Sequence, residues 1–390
     1  MATIPPTYES SRDRFRASLA SFLDLWPAAR LTSLPTCPER SDERSEERSR
    51  RVADDPALTI DVISADAIRV KQKHLILTTG LHGIEGYVGA GILQLFIEEF
   101  LPRLDPETTG ITVVHPINPF GMKHRQRVNK NNVDLNRNFA TDFETLKLLN
   151  PHYESLTALL NPARPLKHPL YEKLSFLWNV ARALPKGAAH IREAALMGQY
   201  RVEAGIYFGG FAPQEETLQM KELIRASISG YAQVVALDIH SGYGPRWQVT
   251  LVNPPSAKET ASETAARFNI PRVAGTNPEE FYTIHGDMTD FVLSLIESEK
   301  VPAYVGAFEF GTYGDSLWQG IHSLRTTVLE NCLRHFGGSD AAHKWMRREY
   351  DELFVPSEAK WWDKAQSDAR HYFDGILAAE GFLDAATASR

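Results

Sequence analysis

The stretch Lys73–Phe96, KHLILTTGLHGIEGYVGAGILQLF, constrains this chain most. Its apolar run His74–Thr79 predicts a buried strand, and Tyr87–Phe100 carries apolar residues at helical spacing. Glycines punctuate the turn between them. A second apolar run, Ile111–Pro119, follows the helix and completes a strand–helix–strand unit. Such a crossover joins parallel strands, so the expected fold class is α/β, a three-layer sandwich of a mixed, mainly parallel twisted sheet with helices on both faces.

The turn inside that unit holds His82 and Glu85, an imidazole and a carboxylate close enough to converge on one cation. A helix-start Glu beside an incidental His is the plainer reading, and the rest of the chain decides between them. Ala232–Ile239 predicts a further buried strand that ends at His240, and Ala303–Phe308 another that ends at Glu309. The polar, turn-rich segment Gly121–Phe139 leaves the strand at Ile111–Pro119 and carries Arg125, Arg127, Asn136 and Arg137. Sites in open parallel sheets form at the carboxyl ends of strands. Four segments therefore deliver chemically competent side chains to one edge.

The remaining chain predicts a helix over 8–27, a charged solvated run over Pro38–Arg51 and a strand over Leu58–Ile63. Residues 140–230 have mainly helical spacing, with a Gly- and aromatic-rich ordered loop at Gly198–Glu216. Weaker strands at Arg246–Val252 and Arg272–Gly275 flank a helix at 257–268. Further helices are expected at Gly286–Ile296, 317–335 and 340–386. No repeat or linker divides the chain, so one catalytic domain over 1–390 is expected. Its core spans about 58–335, with an N-terminal helical arm at 1–57, a helical insertion at about 140–230 and C-terminal helices at 336–390.

Composition removes other classes. A formal net charge of −7 with no basic stripe argues against nucleic acid as a partner. Two cysteines, Cys37 and Cys332, make neither a disulfide framework nor a cysteine-rich metal site, so any metal rests on His, Asp or Glu. The N-terminus interrupts every apolar run with charge, unlike a signal peptide, and no run reaches a membrane span of about 20 residues. A cytoplasmic protein without a membrane partner is expected, its oligomeric state open.

Zinc in catalytic sites takes three protein ligands and keeps an open position, and a close pair plus a distant third ligand builds such a site. His82 and Glu85 are the pair and His240 the third. Asp238, on the same strand face as His240, is either its hydrogen-bond partner or a buried charge needing a pair. Glu309 lies inside the apolar run AYVGAFEFG, where a carboxylate serves as a proton shuttle or as half of a structural ion pair. Arg127 is the first choice for an oxyanion, with Arg125 a competitor, and Arg137 suits a substrate carboxylate because guanidinium binds oxyanions bidentately.

Together these pieces resemble the zinc carboxypeptidase family. HGIE at 82–85 matches its H-x-x-E zinc motif, and IHS at 239–241 matches the segment of its third ligand. RVNKNNVDLNRNF at 127–139 matches the segment with the oxyanion Arg and the carboxylate-holding Asn-Arg pair, here Asn136 and Arg137. FEF at 308–310 falls where the family has its catalytic Glu, and Tyr282 precedes Asp290-Phe291 as its substrate-capping Tyr precedes Asp-Trp. Ile84 departs from the additional Arg of digestive members, and Thr289 from the acid of members specific for basic residues. HGIEG, INPFG and FEFGTYG lean toward the aspartoacylase and succinylglutamate desuccinylase branch.

The resemblance implies one Zn2+ per chain on His82, Glu85 and His240, with Glu309 and Arg127 catalytic and Asn136, Arg137 and Tyr282 binding substrate. The implied activity is hydrolysis of an amide next to a free carboxylate, on a small peptide. An N-acyl amino acid deacylase using the same site is the alternative, and a non-catalytic zinc- or peptide-binding protein is a third.

Overall fold

The computed structural model describes residues 2–36, 55, 57–275 and 285–383. Its strands, in chain order, are β1 (Arg30–Pro35), β2 (Thr59–Ala65), β3 (Lys73–Thr79), β4 (Thr109–His115), β5 (Gln233–Ser241), β6 (Val249–Val252), β7 (Val273–Ala274) and β8 (Ala303–Phe310). They form one sheet in the order β1-β2-β4-β3-β5-β8-β6-β7. The four central strands β4, β3, β5 and β8 are mutually parallel. They are also the apolar runs that need cover on both faces, as parallel strands do. β1 and β2 pair antiparallel on one side, and β6 runs antiparallel to β8 on the other. The sheet is therefore mixed with a parallel centre, as expected.

Alternation along the strands sends side chains to two separate cores. Leu75, Leu77, Leu237 and Phe308 pack on one face against Phe15, Val88, Ile92, Phe96, Phe373 and Ile376. These come from the helices Tyr8–Ala17, Gly86–Glu99 and Ala359–Ala379. On the opposite face Ile76, Val114, Ala236 and Val305 meet Met220, Ile224, Val292 and Ile296, from the helices Glu215–Ile228 and Met288–Ser298. Sheet between two helical layers is the three-layer sandwich.

Several boundaries differ from expectation for physical reasons. The strand predicted to Pro119 stops at His115, because Asn118 accepts a hydrogen bond from Gly121 N at 2.8 Å and caps the helix Pro119–Lys123. The N-terminal helix breaks at Ser18 into Tyr8–Ala17 and Leu19–Leu23. β1 has no counterpart among the expected strands, because an edge strand with mostly exposed residues lacks the apolar signal. The helix expected over 340–386 splits into Asp340–Phe354 and Ala359–Ala379, on either side of Pro356.

Both termini of the described chain belong to the sandwich. Trp26 donates its indole N–H to Thr109 O at 2.8 Å, and Arg16 holds the buried Asp61 of β2 at 2.6 Å. The insertion is mainly helical, with Tyr153, Leu156, Leu160, Phe176 and Ile206 forming a satellite core that includes Val328. The charged run Pro38–Arg51, Cys37 and Tyr282 lie outside the described residues. Among the described residues no helix is long and apolar enough to cross a membrane.

Candidate metal centre

The carboxyl ends of β3, β5 and β8 lie side by side in the sheet, and the centre forms on them. His240 and Glu309 are register partners on β5 and β8. β3 ends at Thr79, and the chain then turns through His82 into a short 3-10 turn, Gly83–Glu85, that continues as the helix Gly86–Glu99. Two backbone bonds dock this turn on the next segment, Gly83 N to Arg127 O at 3.1 Å and Ile84 N to Gln126 O at 2.9 Å. Gly83 is required by this contact. A Cβ there would stand 2.1 Å from the Gly121 carbonyl carbon, which cannot move aside.

These constraints bring His82, Glu85 and His240 together, all buried, with one ligand atom from each lying within 4.8 Å of the others. His82 Nδ1 is 2.9 Å from Glu85 Oε1, His240 Nδ1 is 3.0 Å from Glu85 Oε2, and the two Nδ1 atoms are 3.2 Å apart. Each imidazole turns its other nitrogen to a carboxylate. His82 Nε2 lies 3.1 Å from Asp134 Oδ1, and His240 Nε2 lies 2.5 Å from Asp238 Oδ2. Asp238 is fixed in turn by Thr78 Oγ1 at 2.7 Å and by the Ile239 N–H at 3.1 Å.

With hydrogens on both Nε2 atoms, the two Nδ1 lone pairs and the Glu85 oxygens are left close together with no proton among them. That convergence is repulsive without a cation, and two imidazoles, each braced by a carboxylate, with one further carboxylate form a donor set that suits zinc. The residues fit the metal.

Electrostatics here combine burial and charge. Burial alone pushes the Glu85 carboxyl up, but the His82 and His240 imidazoles outweigh it and hold Glu85 below the usual carboxylate range. Burial likewise opposes ionisation of Asp134, and the Arg127 guanidinium with His82 holds it well below. His240 is raised well above an ordinary imidazole, since the Asp238 and Glu85 carboxylates exceed the effect of burial. Glu309 goes the other way. Burial pushes it up to about 7, and the neighbouring Glu85 adds to this against the imidazoles and Arg127.

Arg127 reaches the group and Arg125 does not. Arg127 Nη1 donates to Glu85 Oε1 at 3.0 Å and its Nε to Asp134 Oδ2 at 3.1 Å. Arg125 instead pairs with Asp351 at 2.6 Å and lies over the Tyr87 ring. Arg137 is 3% exposed. Its Nη1 donates to Asn136 O at 3.0 Å and its Nη2 to Leu196 O at 2.9 Å, while Nε is buried without a partner. The Asn136 side chain ties the segment to the helix Met288–Ser298, donating to Asp287 Oδ2 and accepting from Met288 N, both at 2.9 Å.

Two residues gain roles that spacing alone did not assign. Asp134 joins His82 to Arg127, and its signal was present as the one acid in the segment Gly121–Phe139. Tyr207, from the insertion, places its ring 5.4 Å from the Arg127 guanidinium and 5.7 Å from that of Arg137. Its loop stands out as rich in Gly and aromatics, but nothing there distinguishes Tyr207 from its aromatic neighbours.

The family model described as "Protein of unknown function (DUF2817)" matches residues 39–368, so the chain belongs to that family. No curated protein matches the sequence. Among solved structures the chain is similar to bovine thrombin-activatable fibrinolysis inhibitor, at 13% identity and a TM-score of 0.43, over 93% of this chain and 96% of that one. It is similar to carboxypeptidase A from Helicoverpa armigera, at 12% identity and a TM-score of 0.44, over 90% and 74% of the two chains. An aspartoacylase family protein from Mesorhizobium loti aligns at 16% identity and a TM-score of 0.35, over 79% and 67%.

Proposed function

We propose that this member of the DUF2817 family is a zinc-dependent hydrolase of amide bonds, cleaving next to a free carboxylate in a small peptide. The observation that carries the reading is the convergence of His82, Glu85 and His240, each imidazole braced by its own aspartate, beside the cross-strand carboxylate of Glu309. Zinc bound by these three side chains would supply Lewis acidity and positive charge at the scissile carbonyl.

The chain's own residues do the rest. Glu309, the carboxylate pushed up to about 7, takes a proton from the attacking water as oxygen bonds to the carbonyl carbon. It passes that proton to the amide nitrogen as the carbon–nitrogen bond breaks, so the products are an acid and an amine. Arg127 is held in its charged form by Asp134 and Glu85 and stabilises the oxyanion. Arg137 takes the substrate carboxylate on the part of its guanidinium left over from Asn136 O and Leu196 O. Asn136 positions that guanidinium through its carbonyl, and the resemblance gives the substrate-capping role to Tyr282.

The test is a pair of variants in the full chain. His82→Ala should lose stoichiometric zinc and turnover together, whereas Glu309→Gln should keep zinc and lose turnover. Activity is read on blocked dipeptides and on N-acyl amino acids. Turnover by zinc-loaded Glu309→Gln overturns the base assignment, activity on the N-acyl panel alone makes the enzyme a deacylase, and stoichiometric zinc with no turnover on either panel makes it a binding protein.

A further inference from the structure

Tyr207 has a backbone φ of +52°, the left-handed region that residues with a side chain rarely adopt. Such a conformation persists only where the surroundings over-determine it, and it concentrates at functional sites. Here the surroundings do so. Ile206 and Phe208, on either side, are buried anchors. Tyr207 O accepts from Gln199 N at 3.0 Å, and Phe208 O accepts from Asp134 N at 2.8 Å. The second bond ties the insertion directly to the aspartate that braces His82.

The result is a half-buried ring held against two guanidiniums, 5.4 Å from that of Arg127 and 5.7 Å from that of Arg137. The other cover over Arg137 also comes from the insertion. Leu196 O accepts from its Nη2 at 2.9 Å. Gly198 packs so closely that a Cβ would sit 2.7 Å from Arg137 Cδ. Beneath this cover the Nε of Arg137 is buried without a partner, a donor in place for an anion.

We infer that Tyr207 is a specificity-determining residue, whose ring packs near both the Arg127 and the Arg137 guanidiniums and restricts approach to Arg137 to slender acids. The inference rests on the hydrolase reading for the identity of the substrate, but the ring's action on Arg137 is independent of turnover. A carboxylate on an unbranched or small carbon passes the ring edge, and one flanked by a bulky side chain collides with it.

The experiment uses arginine-directed reagents of two sizes, methylglyoxal and phenylglyoxal, on the zinc-loaded full-length wild type, Tyr207→Phe and Tyr207→Ala. Peptide mapping reads the modification rate of Arg137 against Arg125, the internal reference paired with Asp351. In wild type and Tyr207→Phe, phenylglyoxal should modify Arg137 far more slowly than methylglyoxal does. In Tyr207→Ala the phenylglyoxal rate at Arg137 should rise several-fold, towards the methylglyoxal rate, because the ring that blocks the larger reagent is gone. The preference of kcat/KM for a slender over a bulky carboxylate-bearing amide should narrow by a similar factor.

An unchanged phenylglyoxal rate at Arg137 in Tyr207→Ala overturns the inference. So does a Tyr207→Phe protein that behaves like Tyr207→Ala, since the ring and not the hydroxyl is the barrier. If the wild type hydrolyses no amide, the hydrolase reading fails while the labelling still decides the role of Tyr207.

Discussion

Substituting Asp134 by asparagine changes one charge and almost no volume, at a residue that serves three partners at once. The fully buried Asp134 carboxylate accepts from Asn136 N at 3.0 Å, stands 3.1 Å from His82 Nε2 and accepts from Arg127 Nε at 3.1 Å. An amide has one acceptor oxygen. If that oxygen faces His82 and Asn136, its NH2 meets the Arg127 N–H donor head-on. If it faces Arg127, the NH2 meets His82 Nε2 and drives the imidazole proton onto Nδ1, the nitrogen aimed at the metal position. Loss of a partner in a buried charge pair costs about 3–5 kcal/mol, and the surviving Arg127–Glu85 bond of 3.0 Å places this variant near 3 kcal/mol. Loss of an outer partner to a metal-bound histidine weakens metal binding by about 10–100-fold.

Urea unfolding of the zinc-free proteins reads the first effect, and zinc competition against a chelating indicator reads the second. Ile97→Ala, in the core around the helix Gly86–Glu99, is the control. It should destabilise by about 2–5 kcal/mol and leave zinc affinity near that of wild type. If Asp134→Asn binds zinc within about twofold of wild type, well short of the range for such partners, the proposed tautomer control by Asp134 is wrong.

Arg127→Ala should lower kcat about 100–1,000-fold through loss of the oxyanion charge, whereas Arg125→Ala, which breaks the Asp351 pair and the contact with the Tyr87 ring, should stay within a few-fold in the same steady-state assay. Gly83→Ala should destabilise by about 1–3 kcal/mol in urea unfolding and weaken zinc binding, because its Cβ collides with the Gly121 backbone. Two buried histidines should pull stability down in mild acid, against the opposite contribution of Glu309. Burial lowers His74 and His115 from 6.5 to about 3, so the unfolded chain protonates first as the pH drops below 6.5. The stability is complete above 6.5 and is lost on the way down at about 1.4 kcal/mol per pH unit for each histidine. Between pH 7 and pH 5, urea midpoints should therefore drop less in His115→Asn than in wild type, by an amount equivalent to about 2 kcal/mol.

The parallel centre was legible because buried parallel strands are continuous apolar runs, and Lys73–Thr79, Gln233–Ser241 and Ala303–Phe310 all carry that pattern. The grouping of His82, Glu85 and His240 was legible because the three follow the ends of such runs, and the carboxyl ends of parallel strands share one edge. β1 escaped notice because an exposed edge strand has no apolar period, and the stop of β4 at His115 depends on a cap that spacing does not reveal.

What the sequence determined alone was the set of residue types and the edge of the sheet to which they go. Tertiary structure decided which of two neighbouring arginines faces Glu85, because the bonds from Gly83 and Ile84 to residues 126–127 set that segment's direction. It also decided that Asp134 joins His82 to Arg127 and that the Tyr207 ring lies near both arginines. The contacts of Asp134 with His82 and of Tyr207 with the arginines link residues far apart in the chain, where no local pattern carries information and only tertiary packing brings the side chains together.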